Sequence, residues 1–351
     1  MGLKKPLLGW AKGHSGPLNS IADVPGVRVG HCTLHKGDIH TGVSAILPHS
    51  GNLFLQKLPA AAHVINGFGK TTGLVQLQEL GTLETPIFLT NTLSVGTAYT
   101  ACVRHMLAQN PCIGTTTGTV NPIIAECNDG EVSDIRALAV TEAHANAALA
   151  AAGTAVQEGS VGAGAGMVCY GLKGGIGTAS RLVAANGAEY ALGCLVLSNF
   201  GNLANLSIGG QAVGEKLLAL RQELKQAAAR SQQGSIIVVL ATNAPLSSRQ
   251  LGRLCRRAGV GMARTGAYIA GGSGEIALAF STQNPVPHFG AGQLVEQRVL
   301  HEDLLDAFFA ATGQVVEEAI LSSLYHAPTL VGRSGPCFGL RQLLQQAQIP
   351  E

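Results

Sequence analysis

The sequence has little charge, few aromatic residues and no long hydrophobic run. Only 13% of its 351 residues are charged, about half of the ~25% that is usual in globular proteins. The 23 Lys and Arg nearly balance the 21 Asp and Glu, which argues against a nucleic-acid binder that depends on a concentrated basic face. The longest strongly apolar run, residues 236–241, is far shorter than the ~20 residues of a membrane-spanning helix. We therefore expect neither nucleic acid nor membrane as a partner.

Signals for export and for cysteine chemistry are also lacking. The first 16 residues contain no apolar stretch of the 7–15 residues that a secretory signal requires. The eight cysteines are scattered without a CxxC pair, so they are expected to be small buried apolar residues in a reducing compartment. These features predict a cytoplasmic protein.

Glycine is abundant instead, and short apolar segments recur between the glycines. The 46 glycines are about 13% of the chain, against a typical ~7%. Strand-length segments, several of them without strict alternation, predict strands that are buried on both faces; they lie at residues 27–34, 43–48, 85–93, 166–172, 193–201, 235–243 and 276–282. Helical patterns are predicted at residues 142–153, 214–233, 248–258 and 301–324. Strands mixed with helices indicate a layered α/β protein.

Several familiar motifs fail their own spacing rules. The GKT of residues 69–71 lacks the glycine of a phosphate-binding loop, because position 64 is Val64. The glycine-rich segment 162–167 ends in Met167 where a dinucleotide-binding fingerprint needs glycine, and residues 271–275 are not GxSxG because Glu275 takes the last position. Three histidines are close in sequence but have no HExxH or cysteine pair nearby: His31, His35 and His40. The sequence thus predicts no cofactor and no metal.

One local pattern has chemical potential. Ser235 follows Gly234 and opens a run of apolar, β-branched residues. Glycine permits strained backbone, so the Ser235 hydroxyl could attack the preceding carbonyl. After hydrolysis, Ser235 would be a new N-terminus whose α-amine, with a pKa near ~8, activates its own hydroxyl. Gly-Ser before a strand is common, however, and on local grounds alone an ordinary turn is the preferred explanation.

The chain also resembles the self-processing serine aminopeptidases, the family that includes the L-aminopeptidase/D-esterases and the β-peptidyl aminopeptidases. The resemblance covers nearly the whole chain and is carried by residues 21–31, 63–74, 79–96, 166–181 and 235–246. It implies a four-layer α-β-β-α sandwich of the N-terminal-nucleophile type, formed by residues 1–351 as a single domain. It further implies cleavage between Gly234 and Ser235, which gives chains 1–234 and 235–351, and assembly into a homotetramer.

The resemblance also implies roles for individual residues. Ser235 matches the nucleophile, and Ser273 and Glu275 match a serine–glutamate pair that orients its amine and relays protons. Asn199 matches an asparagine that stabilises the oxyanion through its amide. Glu126 matches the acid that binds the free amino group of the substrate, which explains exopeptidase selectivity.

Some of these assignments have rivals. Asp129 and Asp134 compete with Glu126 for the amine-binding role, and a tyrosine that some family members use nearby is absent, because none occurs between Tyr99 and Tyr170. The predicted activity is release of the N-terminal residue, L-, D- or β-, from short peptides, amides or esters through an acyl-enzyme. An acyltransferase that uses the same acyl-enzyme, an uncleaved binding protein and a pyruvoyl decarboxylase are the alternatives.

Overall fold

The computed structural model describes residues 13–225, 234–290 and 294–348. In these ranges the strands are β1 (Arg28–Lys36), β2 (Ile39–Leu47), β3 (Gln56–Gly67), β4 (Thr82–Leu83), β5 (Ile87–Asn91), β6 (Ile123–Cys127), β7 (Val168–Cys169), β8 (Leu172–Lys173), β9 (Gly175–Ala185), β10 (Ala188–Asn199), β11 (Ser207–Ile208), β12 (Gln211–Ala212), β13 (Gly234–Thr242), β14 (Ser273–Ser281), β15 (Val286–Pro287), β16 (Leu330–Gly332) and β17 (Gly335–Cys337). The helices are α1 (Leu74–Leu80), α2 (Val95–Gln109), α3 (Glu142–Ala150), α4 (Gly214–Lys225), α5 (Ser248–Arg264), α6 (Leu305–His326) and α7 (Leu340–Gln346).

The longer strands form two sheets. The smaller sheet has the order β1-β2-β5-β6. The larger has the order β15-β3-β14-β13-β10-β9, with β4 paired to β3. In the larger sheet, β13 and β14 lie side by side between strands from the earlier part of the chain: β13 pairs with β10 on one side and with β14 on the other, and β14 pairs in turn with β3.

Three apolar cores separate four layers. The core between the two sheets contains Leu89, Leu195 and Val239. On the outer face of the larger sheet, Val196 and Val238 share a core with α5 and α6, and on the outer face of the smaller sheet a third core includes residues of α2 and α3. The order of layers is therefore helices, sheet, sheet, helices, which confirms the predicted α-β-β-α sandwich.

Most of the strands and helices predicted from the sequence are present, and two differ. The strand predicted over residues 166–172 is wrong: Tyr170 and Gly171 have φ values of 53° and 66°, so the chain turns sharply between the two-residue strands β7 and β8. Helix α4 ends at Lys225, and the rest of the predicted helix, to residue 233, lies outside the described residues.

Other predicted ends are accurate. Thr141 and His144 form the N-terminal capping box of α3, and Ser247 and Gln250 form that of α5. In the part of the chain that the structure describes, no helix has both the length and the apolar composition needed to cross a membrane.

Candidate active site

Three neighbouring strands of the larger sheet have their ends side by side. β10 ends at Asn199, while β13 begins at Gly234 and β14 at Ser273. In the antiparallel pair, Asn199 lies opposite Ser235. In the parallel pair, Gly234 lies opposite Ser273 and Ser235 opposite Gly274. The fold thus brings the predicted nucleophile, cleavage-site glycine, oxyanion donor and serine–glutamate strand together.

Because side chains alternate along a strand, the residues at these strand ends project on two opposite faces of the sheet. A Cβ built on Gly274 would lie 3.2 Å from the Ser235 Oγ, so the Ser235 hydroxyl projects on the same face as position 274. Ile276, on that face, belongs to the core between the sheets. Ser273 and Glu275 project on the opposite face. The Ser235 hydroxyl therefore faces the inter-sheet space, whereas Ser273 and Glu275 flank the neighbouring backbone from the helix side.

Ser273 and Glu275 are buried, with exposed fractions of 0% and 1%. Burial raises the pKa of the Glu275 carboxyl above its ordinary value, and the nearby Ser273 hydroxyl opposes this shift. Among the described residues, which omit 226–233 just before β13, the Ser273 hydroxyl and both Glu275 oxygens lack a hydrogen bond of ordinary geometry. Buried polar groups are nearly always hydrogen-bonded in folded proteins, so these atoms are the expected contacts of a further group at the site.

Gly234 occupies a position with no room for a side chain. A Cβ there would lie 2.1 Å from the carbonyl oxygen of Asn199 and 2.8 Å from the Cα of Phe200. Both atoms belong to the backbone of a central strand and its continuation, and therefore cannot swing aside. Only glycine fits immediately before Ser235.

The Asn199 carboxamide is held in one orientation by two backbone groups. Its Oδ1 accepts a hydrogen bond from the Val168 N–H at 2.8 Å, and its Nδ2 donates to the carbonyl oxygen of Asn128 at 3.0 Å. An amide NH₂ has two donors, so one N–H of Nδ2 is left beyond these two contacts. Asn199 is 6% exposed, and its side chain projects on the same face of the sheet as that of Ser235, which lies directly opposite on β13.

Glu126, the fourth residue of β6, is 3% exposed. One of its carboxylate oxygens accepts a hydrogen bond from the Lys70 N–H at 2.9 Å, and the other accepts one from the Thr92 hydroxyl. A Cβ on Gly69 would lie 3.5 Å from the Glu126 Oε1 and 3.6 Å from the Ile276 Cδ1. Gly69 therefore lies between the Glu126 carboxylate and Ile276, a residue of the core between the sheets.

The two rival acids are placed differently. Asp129 is fully buried; burial raises the pKa of its carboxyl to about 6, although the Thr41 and Asn91 side chains and the Lys173 charge oppose the shift. Asp134 accepts a hydrogen bond from the Arg136 N–H and pairs with Arg333 at 3.6 Å near the surface. Neither makes the contacts with Lys70 and Thr92 that characterise Glu126.

The structure adds residues that the sequence did not single out. Thr92 supplies the hydroxyl that contacts Glu126, while Tyr170 is buried with its own hydroxyl 2.7 Å from that of Thr265. Val168 and Asn128 orient Asn199. Thr92, Val168 and Tyr170 lie in segments of the family resemblance. Val168 and Asn128 act through backbone atoms, which leave no residue-type signal.

Metal-binding side chains do not cluster in the described ranges: no group of three or more His, Cys, Asp or Glu is arranged to hold an ion there. His31 contacts the Ser44 hydroxyl at 2.8 Å, and burial lowers the pKa of its imidazole to about 4. His35 and His40 contact each other at 3.0 Å.

Comparison of the chain with known proteins shows the family to which it belongs. Residues 19–337 match peptidase family S58. The chain belongs to this family. It is 40% identical over 342 residues to the β-peptidyl aminopeptidase BapA of Sphingosinicella microcystinivorans, which covers 92% of this chain and 85% of the relative. The S58 membership and this relative identify the protein as a hydrolase that acts as an aminopeptidase.

Solved structures share the fold of this chain. The PH0078 protein of Pyrococcus horikoshii OT3 matches with a TM-score of 0.90 and 46% identity, over 97% of this chain and 95% of that one. The L-aminopeptidase D-Ala-esterase/amidase of Ochrobactrum anthropi matches with a TM-score of 0.87 and 35% identity, over 96% of each chain. That enzyme is described as a prototype of the serine aminopeptidases and a variant of the Ntn hydrolase fold, which confirms the predicted fold class.

Proposed function

We propose that this S58 aminopeptidase cleaves its own Gly234–Ser235 bond and then uses Ser235 as an N-terminal nucleophile. The observation that carries the proposal is the convergence of Asn199, Gly234–Ser235 and Ser273–Glu275 on adjacent strand ends. The buried Glu126 carboxylate, held by the Lys70 N–H beside Gly69, supports an aminopeptidase specificity.

Processing begins with attack of the Ser235 Oγ on the carbonyl carbon of Gly234. The C–N bond to Ser235 breaks, its nitrogen takes up the proton that the hydroxyl gives away, and an ester joins residue 234 to the Ser235 Oγ. Water then hydrolyses the ester and leaves a carboxylate on Gly234 and a free hydroxyl and α-amine on Ser235. The lack of space beside the Gly234 Cα supports this step, because it fixes the backbone next to the nucleophile.

In the mature enzyme the α-amine of Ser235 is the general base for its own hydroxyl. Ser273 and Glu275 lie on the helix-side face of the neighbouring strand, so they are placed to orient this amine rather than to contact the hydroxyl. Their unsatisfied polar atoms are suited to bind an ammonium or amine that the uncut chain does not possess.

Acyl transfer to Ser235 creates an oxyanion on the scissile carbonyl. The Asn199 side chain projects on the same face as that of Ser235 on the opposite strand, and the second N–H of its Nδ2 is proposed to donate to that oxygen. A preorganised donor of this kind contributes about 2.7–4 kcal/mol of transition-state stabilisation in comparable enzymes. Water then releases the amino acid from the acyl-enzyme.

Glu126 selects substrates that have a free N-terminus. A substrate in the inter-sheet space would place its ammonium against the carboxylate and its carbonyl against Ser235. Short peptides, amino-acid amides and amino-acid esters fit this arrangement. Because one relative is named a β-peptidyl aminopeptidase and another an L-aminopeptidase D-Ala-esterase/amidase, the acyl residue is proposed to be an L-, D- or β-amino acid.

The two products of processing, residues 1–234 and 235–351, are expected to stay together. β13 of the smaller chain lies between β10 of the larger chain and β14 of its own, and β14 pairs with β3 of the larger. Separation would break these hydrogen-bonded ladders and expose the two apolar cores that pack on the faces of the larger sheet. Assembly of the cleaved protomers into a homotetramer remains a prediction.

The test compares wild type with Ser235→Ala and, as a matched control, Ser207→Ala at a strand away from the site. Denaturing electrophoresis should show two bands for wild type and Ser207→Ala and one for Ser235→Ala. Hydrolysis of aminoacyl anilides should fall at least about a thousandfold in Ser235→Ala alone. Release of the acyl group to an added amine in preference to water would instead support the acyltransferase.

A further inference from the structure

Lys173 is a fully buried cation that the proposed mechanism does not use. An ammonium has three donors, and all three are engaged by backbone carbonyls: those of Met167 at 2.8 Å, Gly174 at 2.8 Å and Gly164 at 3.1 Å. No carboxylate of the described residues lies within ion-pair distance of the Lys173 Nζ. The buried Asp129 carboxyl acts on the Lys173 charge only from beyond that distance. Burial of a charge that has no ion pair is costly, which calls for a reason why lysine occupies this position.

The Met167 carbonyl provides a connection to the candidate active site. It belongs to the same peptide unit as the Val168 N–H, which donates to the Asn199 Oδ1 at 2.8 Å. The ammonium therefore contacts one end of a planar peptide whose other end contacts the Asn199 carboxamide. The Met167 oxygen also accepts the Gly174 N–H at 2.9 Å, so the peptide is held firmly.

We infer that Lys173 is a positioning residue that fixes and polarises the Asn199 amide through the Met167–Val168 peptide. The positive charge draws electron density towards the Met167 oxygen and makes the Val168 N–H a stronger donor. The same effect passes through the Asn199 carboxamide, whose free N–H then donates more strongly to the oxyanion. Chains of hydrogen bonds reinforce one another in this way by about 10–30% per bond. The inference rests on the proposed function for its catalytic consequence only.

Lys173→Met tests this inference, because methionine keeps an unbranched chain of similar size without the charge. The control is Arg221→Met: the Arg221 guanidinium donates to the Gly171 carbonyl of the same loop at 2.9 Å but does not touch the Met167–Val168 peptide. Measured per processed chain, kcat should fall about tenfold in Lys173→Met, while KM stays within about twofold of the wild-type value. In Arg221→Met, both kcat and KM should stay within about twofold of wild type.

A double-mutant cycle separates polarisation from loop packing. If Lys173 acts through Asn199, then Lys173→Met should change kcat less than about twofold in an Asn199→Ala background. An equal loss of kcat with and without Asn199 would overturn the inference.

A measurement that needs no activity distinguishes failure of this inference from failure of the proposed function. In ¹H–¹⁵N spectra, the Val168 amide and the Asn199 side-chain amide should move upfield in Lys173→Met and stay in place in Arg221→Met. Unmoved resonances would overturn the inference even in an active enzyme, and the expected shifts in an inactive protein would overturn only the proposed function.

Should Lys173→Met fail to fold, the wild-type lysine can be titrated instead. Burial lowers the pKa of Lys173 to about 8, so the Val168 and Asn199 resonances should move together near that pH while the Gly171 amide does not. The other titratable groups that face Lys173 are His40, Asp129, Cys169 and Cys337. Three of them titrate away from pH 8, because burial lowers the pKa of His40, raises that of Asp129 only to about 6 and raises that of Cys169 to about 12. The Cys337→Ala variant removes the Cys337 thiol, the fourth group. The absence of a common titration would overturn the inference.

Discussion

Asn199 and Ser235 lie directly opposite each other on adjacent antiparallel strands. This register puts the Asn199 side chain, whose Nδ2 makes one hydrogen bond within the described residues, on the same face as the serine that follows Gly234. It also brings the Asn199 carbonyl against the Gly234 Cα. The end of β10 therefore leaves no room for a side chain at position 234 and places a carboxamide opposite Ser235.

Gly234→Ala should block processing. Its Cβ would fall 2.1 Å from the Asn199 carbonyl oxygen, and a displacement of about 1 Å at a reacting centre costs about a hundredfold in rate. Pulse-labelled precursor followed on denaturing gels measures the cleavage rate. Gly272→Ala is the control, because no atom of the described ranges lies within 4 Å of its added Cβ. Normal cleavage in Gly234→Ala would show that the close approach has no role.

Glu126→Gln should weaken selection of the substrate amino group. Loss of a charge-assisted hydrogen bond removes about 1.5–3 kcal/mol, or about 10- to 100-fold in kcat/KM. The discrimination between free and N-acetylated substrates should fall by the same factor. Asp134→Asn, which changes a partly exposed acid near the surface, should leave both within about twofold. Unchanged discrimination in Glu126→Gln would transfer the amine-binding role to another group.

Glu275→Gln should stabilise the uncut precursor at neutral pH. Because the folded-state pKa of Glu275 is raised by burial, the folded state holds its proton more tightly than the unfolded state. Stability is therefore lost as pH rises from the unfolded pKa through the folded one. Measured in a Ser235→Ala background, which has no new α-amine, the gain in Tm from Glu275→Gln should be larger at pH 7 than at pH 4. A gain that does not depend on pH would exclude titration of Glu275 as its source.

Glu318→Ala should destabilise the pairing of residues 1–234 with residues 235–351. Glu318 forms an ion pair with Arg181 at 2.6 Å, with both side chains less than 10% exposed, and accepts a hydrogen bond from Asn19 at 2.7 Å. Removing one side of a buried pair costs about 3–5 kcal/mol. The control is Glu142→Ala, whose partner Arg104 is 72% exposed and whose loss should cost less than about 1 kcal/mol. Denaturant unfolding measures both, and equal effects would contradict the prediction.

How well the sequence predicts a strand or helix depends on the residue types that form it. β13 and β14 are rich in apolar, β-branched or small residues and were predicted correctly, and α3 and α5 have capping boxes that mark their starts. β3 and β9 were missed. β3 contains Pro59 and several alanines, and β9 is rich in glycine, serine and alanine; in both, pairing with neighbouring strands outweighs weak intrinsic preference.

For the site, residue types suggested the Gly234–Ser235 pattern, and the family resemblance added Ser273, Glu275, Asn199 and Glu126. Their convergence follows from strand register, which no local pattern encodes. The division of Ser235 and Ser273 between two faces depends on the same register. The Lys173 contacts depend on three carbonyls of one loop, and backbone acceptors leave no trace in residue identity.

The central claim is that the active enzyme has Ser235 at a free N-terminus. Intact-mass analysis of a fully active sample under denaturing conditions, followed by N-terminal sequencing of the smaller species, tests it most directly. We predict two polypeptides of 234 and 351 − 234 = 117 residues, the smaller beginning Ser-Ile-Ile-Val-Val with a reactive α-amine. One continuous chain of 351 residues with full activity, or a small chain that begins without an amine, would contradict the account.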